Sequence, residues 1–458
     1  MNLLEAKNVY FVGIKGSGMV ALVEILKKMG KKVWGSDVGE RFFTDEILHK
    51  LKIKVNKGFN KKNIKKTEID LVIASAAYGA ENEEIIETKK KGIEMLYYPE
   101  ALGQIFSAKF GIGIVGTHGK TSTTAMLGIV MQEADYKPTV AVGTGVRNFG
   151  GGNCLVGGSD FMVAELCEYR RHFLHSKPKA AILTSIEMDH PDYFKNIYDV
   201  RDAFKEFLEQ IGNDGVLVYA RSNELDDFVQ DLSFKGKKIS YGFVKGDVYV
   251  PEVKVGGGKQ VFDVRMEDHL IDTFELEVPG KHQVLNACGV IAMCLELGLP
   301  LDKIKAGIKK FGGLKRRCEV LGEKDGVLYI DDYGHHPTEI KTTLAGLKEF
   351  YPNRKIWCVF QAHTYSRTKT LLEEFGRAFA SAAEVLVCDI FASAREKEDV
   401  TVSGDKLAFE ISRHHQHTRF TGSFEKTCDI LRAEAKVGDL VVCMGAGDAY
   451  KVIEMMLK

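Results

Sequence analysis

A chain of 458 residues has the length of about three domains of ~150 residues each. Its composition, 45% hydrophobic and 28% charged, suits a protein with large buried cores and excludes a disordered chain. Lys plus Arg and Asp plus Glu both total 63, a formal net charge of zero, which argues against a nucleic-acid binder with its basic excess.

No stretch approaches the ~18 uninterrupted apolar residues of a membrane helix. Residues 1–20 read as a strand and a glycine turn, with Lys15 interrupting any leader-like apolar core. The nine cysteines, at 154, 167, 288, 294, 318, 358, 388, 428 and 443, form no CxxC pair. That pattern predicts reduced thiols and a cytoplasmic location.

In chain order, Val9–Ile14, Lys32–Gly35 and Leu71–Ser75 read as buried strands, with a helix over Val20–Met29 between the first two. This is the βαβ rhythm of a parallel sheet. A second start follows at Gly111–Val115, with a helix over Ser122–Glu133 and strands at Phe161–Ala164 and Ala180–Thr184. Residues 236–280 alternate (Val248, Val250, Val253, Val255; Phe262, Val264, Met266) and predict antiparallel strands. Helical patterning returns at His282–Leu297, and a third αβ rhythm has strands at Val327–Ile330, Lys355–Phe360, Val385–Cys388 and Leu440–Met444. The expected fold is therefore α/β in three domains: 1–107, Rossmann-like; 108–313, P-loop ATPase-like with extra antiparallel strands; and 314–458, Rossmann-like again.

Each domain carries a polar motif at a strand end. Gly16, Gly18 and Ala21 satisfy GxGxx(G/A), and Asp37 ends the next strand. Backbone amides and a helix N-terminus there suit a diphosphate, with the acid on a ribose or base edge, whether of a dinucleotide or another nucleotide. In Gly116-Thr-His-Gly119-Lys120-Thr121-Ser122 the backbone suits phosphates, the ammonium the β/γ-phosphates and the hydroxyl Mg²⁺. The strict P-loop pattern wants Gly at 114, where this chain has Ile. Glu165, Glu187, Asp189 and His190 follow strand ends, where Mg²⁺ ligands belong. His190 is a soft ligand for that ion and equally suits a structural hydrogen bond. Arg170 and Arg171 fit either phosphate or solvent. Asp331-Asp-Tyr-Gly-His-His-Pro337 suits a metal, ribose hydroxyls or a substrate amine. Arg367, following His363, fits a carboxylate binder or a surface ion pair, and Thr364, Ser366 and Thr368 suit helix caps.

Together, Gly-Thr-His-Gly-Lys-Thr (116–121), Ile-Glu-Met-Asp-His (186–190), Pro-Gly-Lys-His-Gln-Val-Leu-Asn (279–286) and Asp-Asp-Tyr-Gly-His-His-Pro (331–337) resemble the Mur ligase family over essentially the whole chain. Cys167–Leu174 is similar to the variant of Gram-positive members. The resemblance implies ATP- and Mg²⁺-dependent ligation of L-alanine to UDP-N-acetylmuramate through an acyl phosphate. The alternative acceptor is an intact murein tripeptide. It places the 116–122 loop (Gly116, Thr117, His118, Gly119, Lys120, Thr121, Ser122) on the ATP phosphates, and Thr121, Glu165 and His190 at the metal sites. His282 and Asn286 lie near the adenine, Arg317 near the phosphates, and Asp332 on the ribose. Tyr333, His335, His336, His363 and Arg367 form the amino-acid pocket. Gly16, Ser17, Gly18, Ser36, Asp37 and Ser75 face the UDP sugar. Lys120, Glu165 and His190 carry the chemistry, in a monomer or weak dimer without nucleic-acid or membrane partners. Lys15, Gln283 and Thr364 depart from residues common in the family, and Lys205 stands where some relatives carry a carbamylated lysine, a modification not expected here. A dehydrogenase would use the first turn alone, and a non-catalytic nucleotide sensor would leave the acceptor residues idle.

Overall fold

The structure is a computed structural model that describes residues 2–42, 44–392, 396 and 399–458. The chain folds into two compact units: Met1–Ile186 with Val200–Tyr249 and Asn286–Lys310, and Glu187–Asp199 with Val250–Leu285 and Phe311–Lys458.

The first unit holds two sheets. Its N-terminal sheet has five parallel strands in the order Val55–Lys57, Lys32–Asp37, Asn8–Val12, Leu71–Ala74, Glu94–Tyr97. Val9–Val12 and Leu71–Ala74 are buried throughout, which is why they read as unbroken apolar runs rather than alternations. The helix Ser17–Lys28 buries Met19, Val20, Leu22, Val23, Ile25 and Leu26 and ends on Lys27 and Lys28, cations that complement its dipole.

The second sheet of this unit has eight strands, with Phe110–Val115 between Ala180–Leu183 and Phe161–Glu165. The helix Lys120–Glu133 that follows Phe110–Val115 is buried from Ser122 through Met131. A helix without a polar face explains why its sequence shows apolar content but no amphipathic stripe. On the far side of the sheet, Val216–Ala220, Lys237–Gly242 and Val248–Tyr249 pair in parallel.

That pairing corrects the antiparallel expectation for residues 236–249. Alternation reports one buried face and says nothing of the neighbour's direction. In the second unit the antiparallel expectation holds: Val253–Gly256, Lys259–Met266 and His269–Leu276 form a meander.

The second unit also contains a six-stranded sheet in the order Glu319–Lys324, Val327–Asp332, Leu440–Met444, Ile356–Phe360, Glu384–Cys388, Thr418–Gly422. Its first pair is an antiparallel hairpin and the other pairs are parallel. Ile330, Cys358, Phe360 and Val442 pack on one face, and Tyr329, Trp357, Val359 and Val441 on the other. The three α/β sheets follow the architecture expected from the sequence. Among the described residues no helix is long and apolar enough to cross a membrane.

Candidate functional site

The strand Asn8–Val12 delivers the first glycine turn. Gly13 has φ +79°, and a Cβ there would stand 2.5 Å from the Tyr78 ring and 2.9 Å from Ser75 Cβ. Gly18 is covered by the Tyr98 ring in the same way. Asp37 is buried; its carboxylate accepts from Lys15 N (2.6 Å), Val38 N (2.8 Å) and the Tyr78 hydroxyl (3.1 Å). Ser36 is fully buried, its hydroxyl donating to Glu84, and Ser75 Oγ accepts from Ala77 N at 3.3 Å. Lys15 turns into the following loop, donating to Glu40 O (2.7 Å) and pairing with Asp45 (3.0 Å). Asn153, unmarked in the sequence, donates to the carbonyl of Ser17 at 2.7 Å.

The phosphate-loop motif forms a turn braced by the next strand end. Thr117 N donates to Ser185 O (3.0 Å), His118 N donates to Ser185 Oγ (2.9 Å), and Thr184 Oγ1 donates to the His118 carbonyl. Gly116 and Gly119 have φ +139° and +81°, and a Cβ on Gly119 would lie 2.6 Å from Asn286 Oδ1. These glycines are required by conformation and by close approach. Lys120 Nζ donates to the carbonyls of Gly116 and Thr117 and sits 3.0 Å from the buried Glu168 carboxylate. Burial alone would depress this ammonium; the Glu168 charge outweighs it and holds the lysine well above its ordinary range, hence protonated. Thr121 Oγ1 donates to Glu165 Oε1 at 2.9 Å, and Glu165 Oε2 accepts from Gly143 N at 2.8 Å. Arg171 pairs with Glu206, while Arg170 lies over the Tyr169 ring. Lys205 is exposed on the helix Ile197–Leu208. Glu168 lies inside a quoted motif, but nothing in the sequence alone marked it as the partner of Lys120.

In the second unit, the strand Val327–Asp332 ends in a packed polar set. Asp332 is buried with its oxygens on Cys318 N and Gly334 N, both at 2.8 Å; burial raises its pKa. Arg317 lies over the Tyr333 ring and pairs with Glu339 at 3.4 Å. Burial, aided by the Arg317 charge, pushes His282 down to about 4, so its imidazole is neutral at pH 7. His335 is likewise pushed down to about 3 by burial, with Nδ1 2.9 Å from Tyr333 O. His336 caps the helix Pro337–Phe350: its Nδ1 accepts from Thr338 N (3.3 Å) and its Nε2 lies 3.3 Å from Met188 O. The same face gathers Glu187, bonded by Thr338 Oγ1 at 2.8 Å, and His363, whose ring is 6.0 Å from that of His335.

Arg367 is also buried here, with Nε and Nη2 donating to Asp189 Oδ1 at 3.1 and 2.8 Å. Although burial opposes ionisation, the Arg367 charge holds the Asp189 carboxyl well below the usual carboxylate range. His190 adopts φ +54° and Thr364 φ +71°, left-handed backbone that costs a non-glycine residue energy and gathers at functional loops. Thr364 makes no side-chain cap, and Ser366 instead donates to Glu396 at 2.6 Å.

Three family models match in series: "Mur ligase family, catalytic domain" over residues 8–110, "Mur ligase middle domain" over 114–294, and "Mur ligase, glutamate ligase domain" over 316–447. A UDP-N-acetylmuramate–L-alanine ligase from Desulfitobacterium hafniense (strain Y51) is 42% identical over 447 residues, 97% of this chain and 98% of the relative. The chain belongs to the Mur ligase family. A ligase of the same name from Treponema pallidum (strain Nichols) is 40% identical, covering 98% of this chain and 95% of its own. The solved UDP-N-acetylmuramate–alanine ligase of Thermotoga maritima superposes with a TM-score of 0.82 at 25% identity, covering 99% of this chain and 98% of that one. A murein peptide ligase from Psychrobacter arcticus shares the fold, with a TM-score of 0.72 at 21% identity and 98% of each chain covered. Mur ligases are ATP-dependent.

Proposed function

We propose that this chain joins the lactyl carboxylate of UDP-N-acetylmuramate to the amine of L-alanine, converting ATP to ADP and phosphate. The observation that carries the reading is the end-to-end identity, up to 42%, with ligases of that name, joined to a phosphate loop whose lysine is held charged by a buried acid.

The chemistry follows from what amide synthesis requires. A carboxylate is a poor acyl donor, so it first takes the terminal phosphoryl group of ATP, releasing ADP, to become an acyl phosphate; the amine then attacks the carbonyl carbon and phosphate leaves. Lys120 supplies fixed positive charge where negative charge spreads during phosphoryl transfer. Thr121 and Glu165 offer two oxygens 2.9 Å apart, an all-oxygen pair that fits one Mg²⁺, and His190 is the softer candidate ligand for the second. When bound, the ion neutralises phosphoryl charge. Asn286 beside Gly119, with His282, serves the adenine; Arg317 the phosphates and Asp332 the ribose. The first turn, Gly16–Gly18, with Asp37 and Ser75, takes the UDP sugar, and Ser36 supports it through Glu84. Tyr333, His335, His336, His363 and Arg367 surround the acceptor. The reaction belongs in the cytoplasm, with small molecules as partners and no nucleic acid or membrane.

The test is phosphate release with ATP, Mg²⁺ and UDP-N-acetylmuramate against L-alanine, glycine, L-serine, D-glutamate and the murein tripeptide. Turnover that needs both the UDP sugar and L-alanine is expected. Turnover with the tripeptide alone would assign the chain to tripeptide recycling.

A further inference from the structure

The ion pair between Arg367 and Asp189 is built unevenly. An arginine usually meets a carboxylate fork to fork, one donor on each oxygen. Here Nε and Nη2 both converge on Asp189 Oδ1, at 3.1 and 2.8 Å, and the backbone N–H of His190 reaches the same oxygen at 2.7 Å. Oδ2 accepts no hydrogen bond among the described residues; His190 Nε2 stands 3.7 Å away. On the arginine, Nη1 has only long contacts, 3.4 Å to His363 O and 3.5 Å to His363 Nδ1. One donor edge and one acceptor oxygen therefore remain, on groups only 5% and 9% exposed. A buried ion pair is a weak source of stability because of its desolvation cost, so an unused half on each partner calls for a ligand bearing both charges.

We propose that Asp189 completes the seat for the zwitterion of the acceptor amino acid: beside Arg367, whose place on the α-carboxylate the family resemblance already implies, Asp189 Oδ2 takes the α-ammonium. The proposal rests on the ligase reading above and adds Asp189 to it as the residue that recognises the amine. Sequence position alone made Asp189 a metal-ligand candidate; its Oδ1 is instead saturated by three N–H donors. His335, whose imidazole is kept neutral by burial, borders the seat together with His363.

The experiment uses the full-length enzyme and three probes: L-alanine as substrate, propionate (carboxylate without amine) and L-alaninamide (amine without carboxylate) as competitors. With wild-type enzyme, both analogues compete with L-alanine. In Asp189→Asn, which keeps an acceptor for Arg367 but loses the charge, the KM for L-alanine rises about 10- to 100-fold, as expected for a lost charged hydrogen bond. L-Alaninamide stops competing, while the inhibition constant of propionate stays essentially unchanged. Arg367→Lys gives the reverse selectivity. Equal losses for L-alanine and propionate in Asp189→Asn would show that Asp189 merely positions Arg367 and would overturn the proposal. So would failure of L-alaninamide to compete in the wild type, a result that needs no variant to fold. Wild-type turnover with L-alanine alongside an unchanged Asp189→Asn would sink the seat and leave the ligase reading standing. No L-alanine-dependent turnover in the wild type would overturn both.

Discussion

Lys120 is held between two backbone carbonyls and the buried Glu168 carboxylate, so its removal has two separable effects. Lys120→Ala is expected to slow phosphate release by about 100- to 1,000-fold, the scale of losing one preorganised electrostatic contact. It also strands a buried acid, at about 3–5 kcal/mol in urea unfolding. Adding Glu168→Gln should restore most of that stability and none of the rate; recovery of activity in the double variant would contradict the assignment. Thr364 presents the opposite case. Its φ of +71° with ψ of 138° is backbone that costs a side-chain-bearing residue about 1–3 kcal/mol. Thr364→Gly is expected to gain about 1 kcal/mol in the same unfolding measurement and to raise the KM for L-alanine, because the turn that seats the helix carrying Arg367 loosens. The sequence showed Thr364 as a candidate helix cap and a departure from its relatives; it stands at the cap position without a side-chain cap bond, and left-handed backbone at a threonine has no signature in composition or periodicity.

At the scale of the element, the helix Ser17–Lys28 carries a latent pH dependence. Glu24 Oε1 has no hydrogen-bond partner among the described residues, and burial alone pushes this carboxyl up to about 7. An acid raised in the folded state stabilises the fold fully below its unfolded value, about 4.3. That contribution is lost as pH climbs through about 7. Glu24→Gln should match the wild type near pH 4 and exceed it at pH 8 by about 1–2 kcal/mol, a figure discounted for partial solvent access. Parallel pH–denaturation curves for the two proteins would refute it. Elements like this helix were legible because seven of its twelve residues are buried, in an apolar run long enough to read as a helix between two strands. Short strands such as Val55–Lys57, Thr139–Ala141 and Thr418–Gly422 escaped, since three to five residues at a sheet margin carry too little periodicity to register.

Across the whole molecule, the strand-turn-helix motifs were readable because glycines such as Gly13, Gly18, Gly116 and Gly119 are compelled locally, by a positive φ or by a side chain pressed onto them. What the sequence withheld is pairing at long range: Glu168 to Lys120, 48 residues apart, and Asp189 to Arg367, 178 residues apart. Motifs name the chemistry, whereas counter-ions are chosen by topology. An adenine nucleotide at a hundredfold excess over its Kd should stabilise the folded protein by about 2.7 kcal/mol, a gain that the Lys120→Ala variant should largely lose in a thermal melt.

The order of strands in the six-stranded sheet bears on how the protein is made. Leu440–Met444, the last of the six to leave the ribosome, lies between Val327–Asp332 and Ile356–Phe360. Until it is synthesised, two strands that emerge early have bare ladder edges facing each other across an unfilled slot. The segments bearing Tyr333, His335, His363 and Arg367, the last on the short helix Tyr365–Thr370, follow the ends of those two strands. At roughly 5–20 residues per second, the proposed acceptor pocket stays unformed for several seconds after its own residues have been translated, leaving a window in which a nascent chain depends on chaperones and a prematurely terminated one has no way to recover.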